Sequence, residues 1–316
     1  MKFIYALVSS ESDFYTEQCA ISVYSLKKYN KDAKVTVICD NDTYHYIKHK
    51  GFLSNLIDEL CPILINKSYT QLQKSRYLKT TVRNIIEGDF IFIDTDTIIT
   101  GKLDEINTFI GEIGAVKVQD SDLWDKKNQH RHFKKYNTKR LLPVDFNYGI
   151  DHYYNSGVIL CKDTVKTREF YKTWHLLWLE GSEKYHDPHD QCNFDRANAI
   201  HNNLVSELKG IYNMAGIYPI GSMRYLHECR IFHYFASSKK LDYLFIKDHA
   251  CLMKIRNKGI TPEIDWLIEN IKEEYIKGIE INLEKDPFLV RVAKFLSNKY
   301  PKLNSFSEKS YKLIRR

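Results

Sequence analysis

No stretch of this 316-residue chain approaches the ~20 consecutive apolar residues of a membrane-crossing helix, so no such span is expected. There is no C-x-x-C pair either. The seven cysteines (Cys19, Cys39, Cys61, Cys161, Cys192, Cys229 and Cys251) are scattered and odd in number. A disulfide framework or zinc cage is therefore not expected, and a reducing cytosol fits this usage best. Lys2 and the run Phe3 to Val8 lack a cleavage site and meet Glu11 and Asp13 at once, which reads as a buried first strand rather than a secretion signal. Internal repeats and low-complexity tracts are absent. The body of the chain also lacks a basic excess. The net charge is +7, and Lys285 to Arg316 alone holds nine Lys or Arg against Asp286 and Glu308. That speaks against a nucleic-acid groove on the main domain and places a basic surface at one end.

What is present is ordinary globular material, 43% hydrophobic and 28% charged, enough for one large α/β core with a C-terminal appendage. Phe3–Ser9 and Val35–Asp40 read as strands flanking a helix over Thr16–Tyr29, a strand–helix–strand unit that implies a parallel sheet. Tyr44–Lys50 and Tyr69–Ile86 read as helices. Phe90–Ile93 is fully apolar, as in a central strand covered on both faces. Further strands are expected at Gly114–Val118, Gly157–Cys161 and Ile231–Tyr234. A helix is expected from Asp163 to about Glu180, and another opening at Asp187-Pro188. Lys117–Tyr154 is polar and aperiodic, and reads as a long functional loop.

The most informative segment is Phe90-Ile-Phe-Ile followed by Asp94-Thr95-Asp96. A buried strand delivers two carboxylates at its carboxyl end, where ligands bind in open α/β sheets. Crowding two acids costs repulsion and desolvation unless a cation compensates, and oxygen ligands suit Mg²⁺ or Mn²⁺. Asp residues also cap turns at strand ends, and a haloacid-dehalogenase-type phosphatase places D-x-D after an apolar strand as well. Its motif lies near the domain start, whereas roughly ninety residues of α/β sequence come first here.

Further motifs agree with the acidic pair in order and spacing. They are Arg76-x-x-Lys79 upstream, Asn155-Ser156-Gly157-Val-Ile-Leu160 downstream, then His186-Asp-Pro-His189-Asp190-Gln191, and His233 followed six residues later by Lys239. Over about residues 1 to 245 the chain resembles the GT-A glycosyltransferases, most closely glycosyltransferase family 8, which includes glycogenin and the lipooligosaccharide galactosyltransferases. It departs from the family's H-x-x-G-x-x-K-P-W element, with Ala236 for the glycine and Lys240-Leu241 for Pro-Trp.

The resemblance implies a GT-A nucleotide-diphospho-sugar transferase fold: a mostly parallel central sheet flanked by helices over residues 1–250, with the nucleotide part about 1–115 and the acceptor part about 116–250. Residues 251–316 would be a helical, basic extension. It implies metal ligation by Asp94, Asp96 and His233, and donor contacts from Ala6, Asp13, Tyr15, Arg76, Lys79, Thr95 and Lys239. Tyr15 would stack on a uracil base and Asp13 accept from its N–H. Asn155, Asp190 and Gln191 would line the reacting face. The implied reaction is retaining transfer from a UDP-sugar, with Mn²⁺ or Mg²⁺, to a saccharide or lipid-linked acceptor of a surface polysaccharide. If the reaction inverts, Asp190 or Asp187 becomes the candidate base. His186 and His189 have no third partner for zinc and read as capping residues. Asp286-Pro287 opens a basic amphipathic helix suited either to an anionic membrane surface or to packing on the main domain. The expected location is cytoplasmic, with peripheral contact at the membrane's inner face. Phosphohydrolysis and non-catalytic nucleotide-sugar binding are the other readings.

Overall fold

Residues 1–50, 52–118 and 153–284 are described by a computed structural model. The Lys117–Tyr154 loop, apart from its ends, and the Asp286-Pro287 helix with the basic tail lie outside these residues. Strand and helix alternate as β1 (Lys2–Leu7), α1 (Tyr15–Tyr29), β2 (Lys34–Asp40), α2 (Asn41–Lys50), β3 (Glu59–Ile63), α3 (Gln71–Ile85) and β4 (Phe90–Ile93). Then come β5 (Thr97–Ile99), β6 (Ile113–Lys117), β7 (Tyr154–Cys161), α4 (Val165–Lys184), α5 (Gln191–Ile200), β8 (Val205–Glu207) and β9 (Met214–Ala215). A short α6 (Pro219–Ser222), β10 (Ile231–His233), α7 (His249–Lys258), α8 (Pro262–Glu269) and α9 (Ile271–Glu284) complete the described chain.

The main sheet has seven strands in the order β3-β2-β1-β4-β7-β6-β8. Only β7 runs against the rest, pairing antiparallel with both β4 and β6. The period of two along each strand feeds both faces. Phe3, Tyr5, Leu7, Ile91 and Ile93 pack with Cys19, Val23 and Leu26 of α1. Ile4, Phe90 and Phe92 pack on the other face with Leu78 and Val82 of α3 and Phe170 and Trp174 of α4. Double coverage is why these strands read as unbroken apolar runs.

A second sheet, β5-β10-β9, has a core of its own. Ile98, Met214, Phe232 and Tyr234 are buried there with Ile255 of α7, Ile264 and Ile268 of α8, and Ile271 and Tyr275 of α9. The C-terminal helices therefore pack as a cap on this small sheet.

One helix start differs from the sequence reading. The helix expected at Asp187-Pro188 begins at Gln191, with Asp190 at its N-cap position. His186 is left-handed at φ 55°. The Asp187 carboxylate accepts from the His189 N–H at 3.1 Å, so it closes a turn rather than capping a helix. Indole N–H groups of Trp174 and Trp178 hold that turn by donating to Asp190 O and Pro188 O, each at 3.0 Å.

Candidate active site

Asp94, Thr95 and Asp96 form the crossing from β4, at the centre of the main sheet, to β5 in the small one. Pairing of β5 with β10 sets Thr97 opposite His233, and the Tyr234 N–H donates to Asp96 O at 3.1 Å. His233 is thereby brought to the acids across 137 residues of sequence. Its Nε2 lies 3.2 Å from Asp96 Oδ1. One ligand atom from each of Asp94, Asp96 and His233 lies within 4.8 Å of the others, the only such group among the described residues.

The imidazole's tautomer follows from a chain of hydrogen bonds. The Gly157 backbone N–H donates to Asn155 Oδ1 at 2.8 Å, so that atom is the amide oxygen. Asn213 Nδ2 donates to the same oxygen at 2.8 Å, which leaves Asn213 Oδ1 facing His233 Nδ1 at 3.0 Å. Nδ1 therefore carries a proton and Nε2 is the nitrogen turned toward the acidic pair, an arrangement in which an outer partner would orient the ring as a ligand. Phe235 stacks on the same ring at 3.9 Å and 4°. A Cβ at Gly157 would lie 2.5 Å from His233 Cε1, so only glycine admits the ring as it stands. Two carboxylates and an imidazole nitrogen in this arrangement fit a divalent ion such as Mn²⁺ or Mg²⁺.

One face of α3 supplies cations. Lys79 Nζ donates to both Asp94 oxygens at 2.9 Å and lies 3.4 Å from Asp190 Oδ2. Arg76 Nε is 2.8 Å from Asp190 Oδ1, an ion pair rather than an aligned hydrogen bond. Ser156 Oγ donates to Asp190 Oδ2 at 2.8 Å. Burial, with the Asp96 charge beside it, pushes the Asp94 carboxyl up despite Lys79. For Asp96 burial acts the same way, but His233 and the Ala236 N–H, 2.9 Å from Oδ2, outweigh it and hold the carboxyl well below the usual range. Asp190 is held low too, its burial being outweighed by Lys79, Arg76 and Ser156.

These groups open on a cavity of about 630 Å³. Of the residues expected from sequence, Ala6, Tyr15, Arg76, Lys79, Asp94, Thr95, Asp96, Asn155, Asp190, Gln191 and His233 line it together. Asp13 and Lys239 do not. The Asp13 carboxylate is taken up within its loop by Ser9 Oγ at 2.6 Å, Ser10 N at 3.0 Å and Tyr15 N at 3.1 Å, and by Gln71 Nε2 at 2.7 Å. Lys239 is exposed on a short turn beyond β10. Sequence reasoning missed Asn213, which sits between a single turn and a two-residue strand and carries no local signal. It also missed Gln71, Tyr153, Tyr218 and Phe235 on the cavity wall. His189 stands there too, with Nδ1 2.6 Å from Asp187 Oδ1.

The main sheet, the crossing acids and the small second sheet define the fold of the GT-A glycosyltransferases. A galactosyltransferase, LgtC, solved with donor and acceptor sugar analogues, superposes with a TM-score of 0.51 at 13% identity, covering 84% of this chain and 100% of that one. Mouse xyloside xylosyltransferase 1 gives 0.48 at 15% identity over 74% of this chain and 97% of that one. The glycosyltransferase GlyE of Streptococcus pneumoniae TIGR4 gives 0.46 at 17% identity over 76% and 56%. No protein-family model and no curated protein matches the chain by sequence.

Proposed function

We propose that the chain is a metal-dependent glycosyltransferase that moves a hexose from a UDP-sugar to a hydroxyl of a saccharide or lipid-linked acceptor, as in surface polysaccharide assembly. The observation that carries this reading is the Asp94, Asp96 and His233 cluster, its histidine oriented through Asn213, lining a cavity large enough for a nucleotide-sugar. A divalent ion held there would neutralise charge developing on the departing diphosphate. Of the cavity-lining residues, Tyr15, which opens α1, and Ala6, near the carboxyl end of β1, would take the nucleoside, and Asn155, Gln191 and Asp190 the sugar. Arg76 and Lys79 would hold Asp190 and Asp94 in place and add positive charge on the leaving-group side.

A carboxylate held low by Lys79 and Arg76, as Asp190 is, is a poor proton acceptor, which disfavours Asp190 as the base of an inverting reaction. Phosphohydrolysis is not favoured. The fold and the neighbour solved with donor and acceptor sugar analogues are those of sugar transfer. No described helix is long and apolar enough to cross a membrane. Contact of the basic tail with an anionic surface is part of the proposal.

The reading is tested by UDP release from a panel of UDP-hexoses with Mn²⁺ and with chelator. Release that needs the metal and falls at least about 100-fold in Asp94→Asn supports it. Phosphate release from simple esters without nucleotide turnover would replace it with the hydrolase reading.

A further inference from the structure

The loop between β1 and α1, residues 8–14, joins the sheet to Tyr15, and its conformation is not set by the main domain alone. On its inner side the Asp13 carboxylate collects donors from Ser9, Ser10 and Tyr15, and from Gln71 of α3, whose Nε2 also bonds Val8 O at 3.1 Å. Two of the loop's carbonyls, those of Glu11 and Asp13, point the other way, and a single side chain from α7 meets both. Arg256 Nη1 donates to Glu11 O at 2.8 Å and Nη2 donates to Asp13 O. The same guanidinium forms a fork on Glu17, the third residue of α1, with Nε to Oε1 at 2.7 Å and Nη2 to Oε2 at 3.1 Å. Its carbon lies 4.5 Å over the Phe14 ring, whose edge meets His249 of α7 at 5.1 Å.

Glu17 is 3% exposed, so its charge depends on this partner. Planar, bidentate and stacked contacts at once are a use of arginine that lysine does not reproduce. Tyr15 follows directly. It is the first residue of α1 and 41% exposed, standing on the cavity wall near Gln71 with its backbone N–H tied to Asp13.

We propose that Arg256 is a positioning residue for the nucleoside half of the donor, through which the C-terminal helices set the β1–α1 loop and hence Tyr15. The proposal rests on the nucleotide-sugar reading above. It assigns the C-terminal helices a part in binding, beyond covering the small sheet. Among the described residues Arg256 makes no hydrogen bond or ion pair with Asp94, Asp96, His233, Arg76 or Lys79, the residues of the metal-and-diphosphate half of the site.

The experiment titrates the full chain with UDP and, separately, with inorganic pyrophosphate, both at saturating Mn²⁺, for wild type, Arg256→Met, Arg256→Lys and Glu17→Gln. In Arg256→Met the expected result is a UDP dissociation constant raised about tenfold with that for pyrophosphate unchanged. Arg256→Lys should recover only part of the loss, because the ammonium keeps the charge without the fork. Glu17→Gln serves as the second variant should Arg256→Met fail to fold, and should show the same UDP-selective loss. UDP affinity unchanged in folded variants overturns the proposal, as does equal loss of both ligands, which would mark general destabilisation. A wild type that binds pyrophosphate but no nucleotide overturns the donor reading as well, and is told apart by needing no variant.

Discussion

Gly157 and Asn213 are the residues on which the geometry of His233 depends. At Gly157 a methyl group would meet the imidazole at 2.5 Å, and the same ring is already stacked on Phe235. Gly157→Ala is expected to cost about 1–3 kcal/mol of stability from overpacking, read by denaturant melts. Asn213→Leu removes the acceptor that fixes the tautomer, and Mn²⁺-dependent UDP affinity is expected to fall about 10–100-fold, read by calorimetry. Asp190 makes a prediction of another kind. Burial opposes its charge, but Lys79, Arg76 and Ser156 prevail, so its folded pKa lies below the unfolded one. Such a carboxylate contributes stability that is fully present above its unfolded pKa of about 4 and is lost as pH falls through the folded value. Asp190→Asn is therefore expected to be about 3 kcal/mol less stable at pH 7, with the gap to wild type closing as pH drops below about 4. A gap that stays constant with pH would contradict the ion-pair account.

Among elements, those with a long apolar period were legible. β4 is Phe90–Ile93 as read from sequence, and α3 falls within the range read for it because its apolar face is marked by Leu78 and Val82. β5, β8 and β9 span two or three residues, too short to show any period, and they form only as ladder partners of β10 or β6. The start of α5 was misplaced because an Asp-Pro pair carries the same signal in a turn as at a helix N-cap. What decides between them is remote: two tryptophans of α4 hold the turn. Trp174→Phe removes the donor to Asp190 O and is expected to cost about 1–2 kcal/mol, read by thermal melts. The acidic pair and Arg76-x-x-Lys79 were visible as local motifs. Asn213 was not, because its partners lie 20 and 58 residues away and only the fold brings them together.

At the scale of the whole molecule, two sheets meet along the Asp94–Asp96 crossing, and the C-terminal helices seal the smaller one. Ile98, Phe232 and Tyr234 are fully buried under them, so a chain ending after Lys247 is expected to lose its cooperative melt while one ending at Lys285 keeps it. The central claim is that the crossing binds a metal-linked nucleotide diphosphate. Calorimetry of UDP with and without Mn²⁺, on wild type and Asp96→Asn, tests it most directly. The account predicts binding that requires Mn²⁺ in the wild type and is lost in the variant. Failure of the wild type to bind either UDP or GDP in the presence of Mn²⁺, or equal binding by Asp96→Asn, would contradict it.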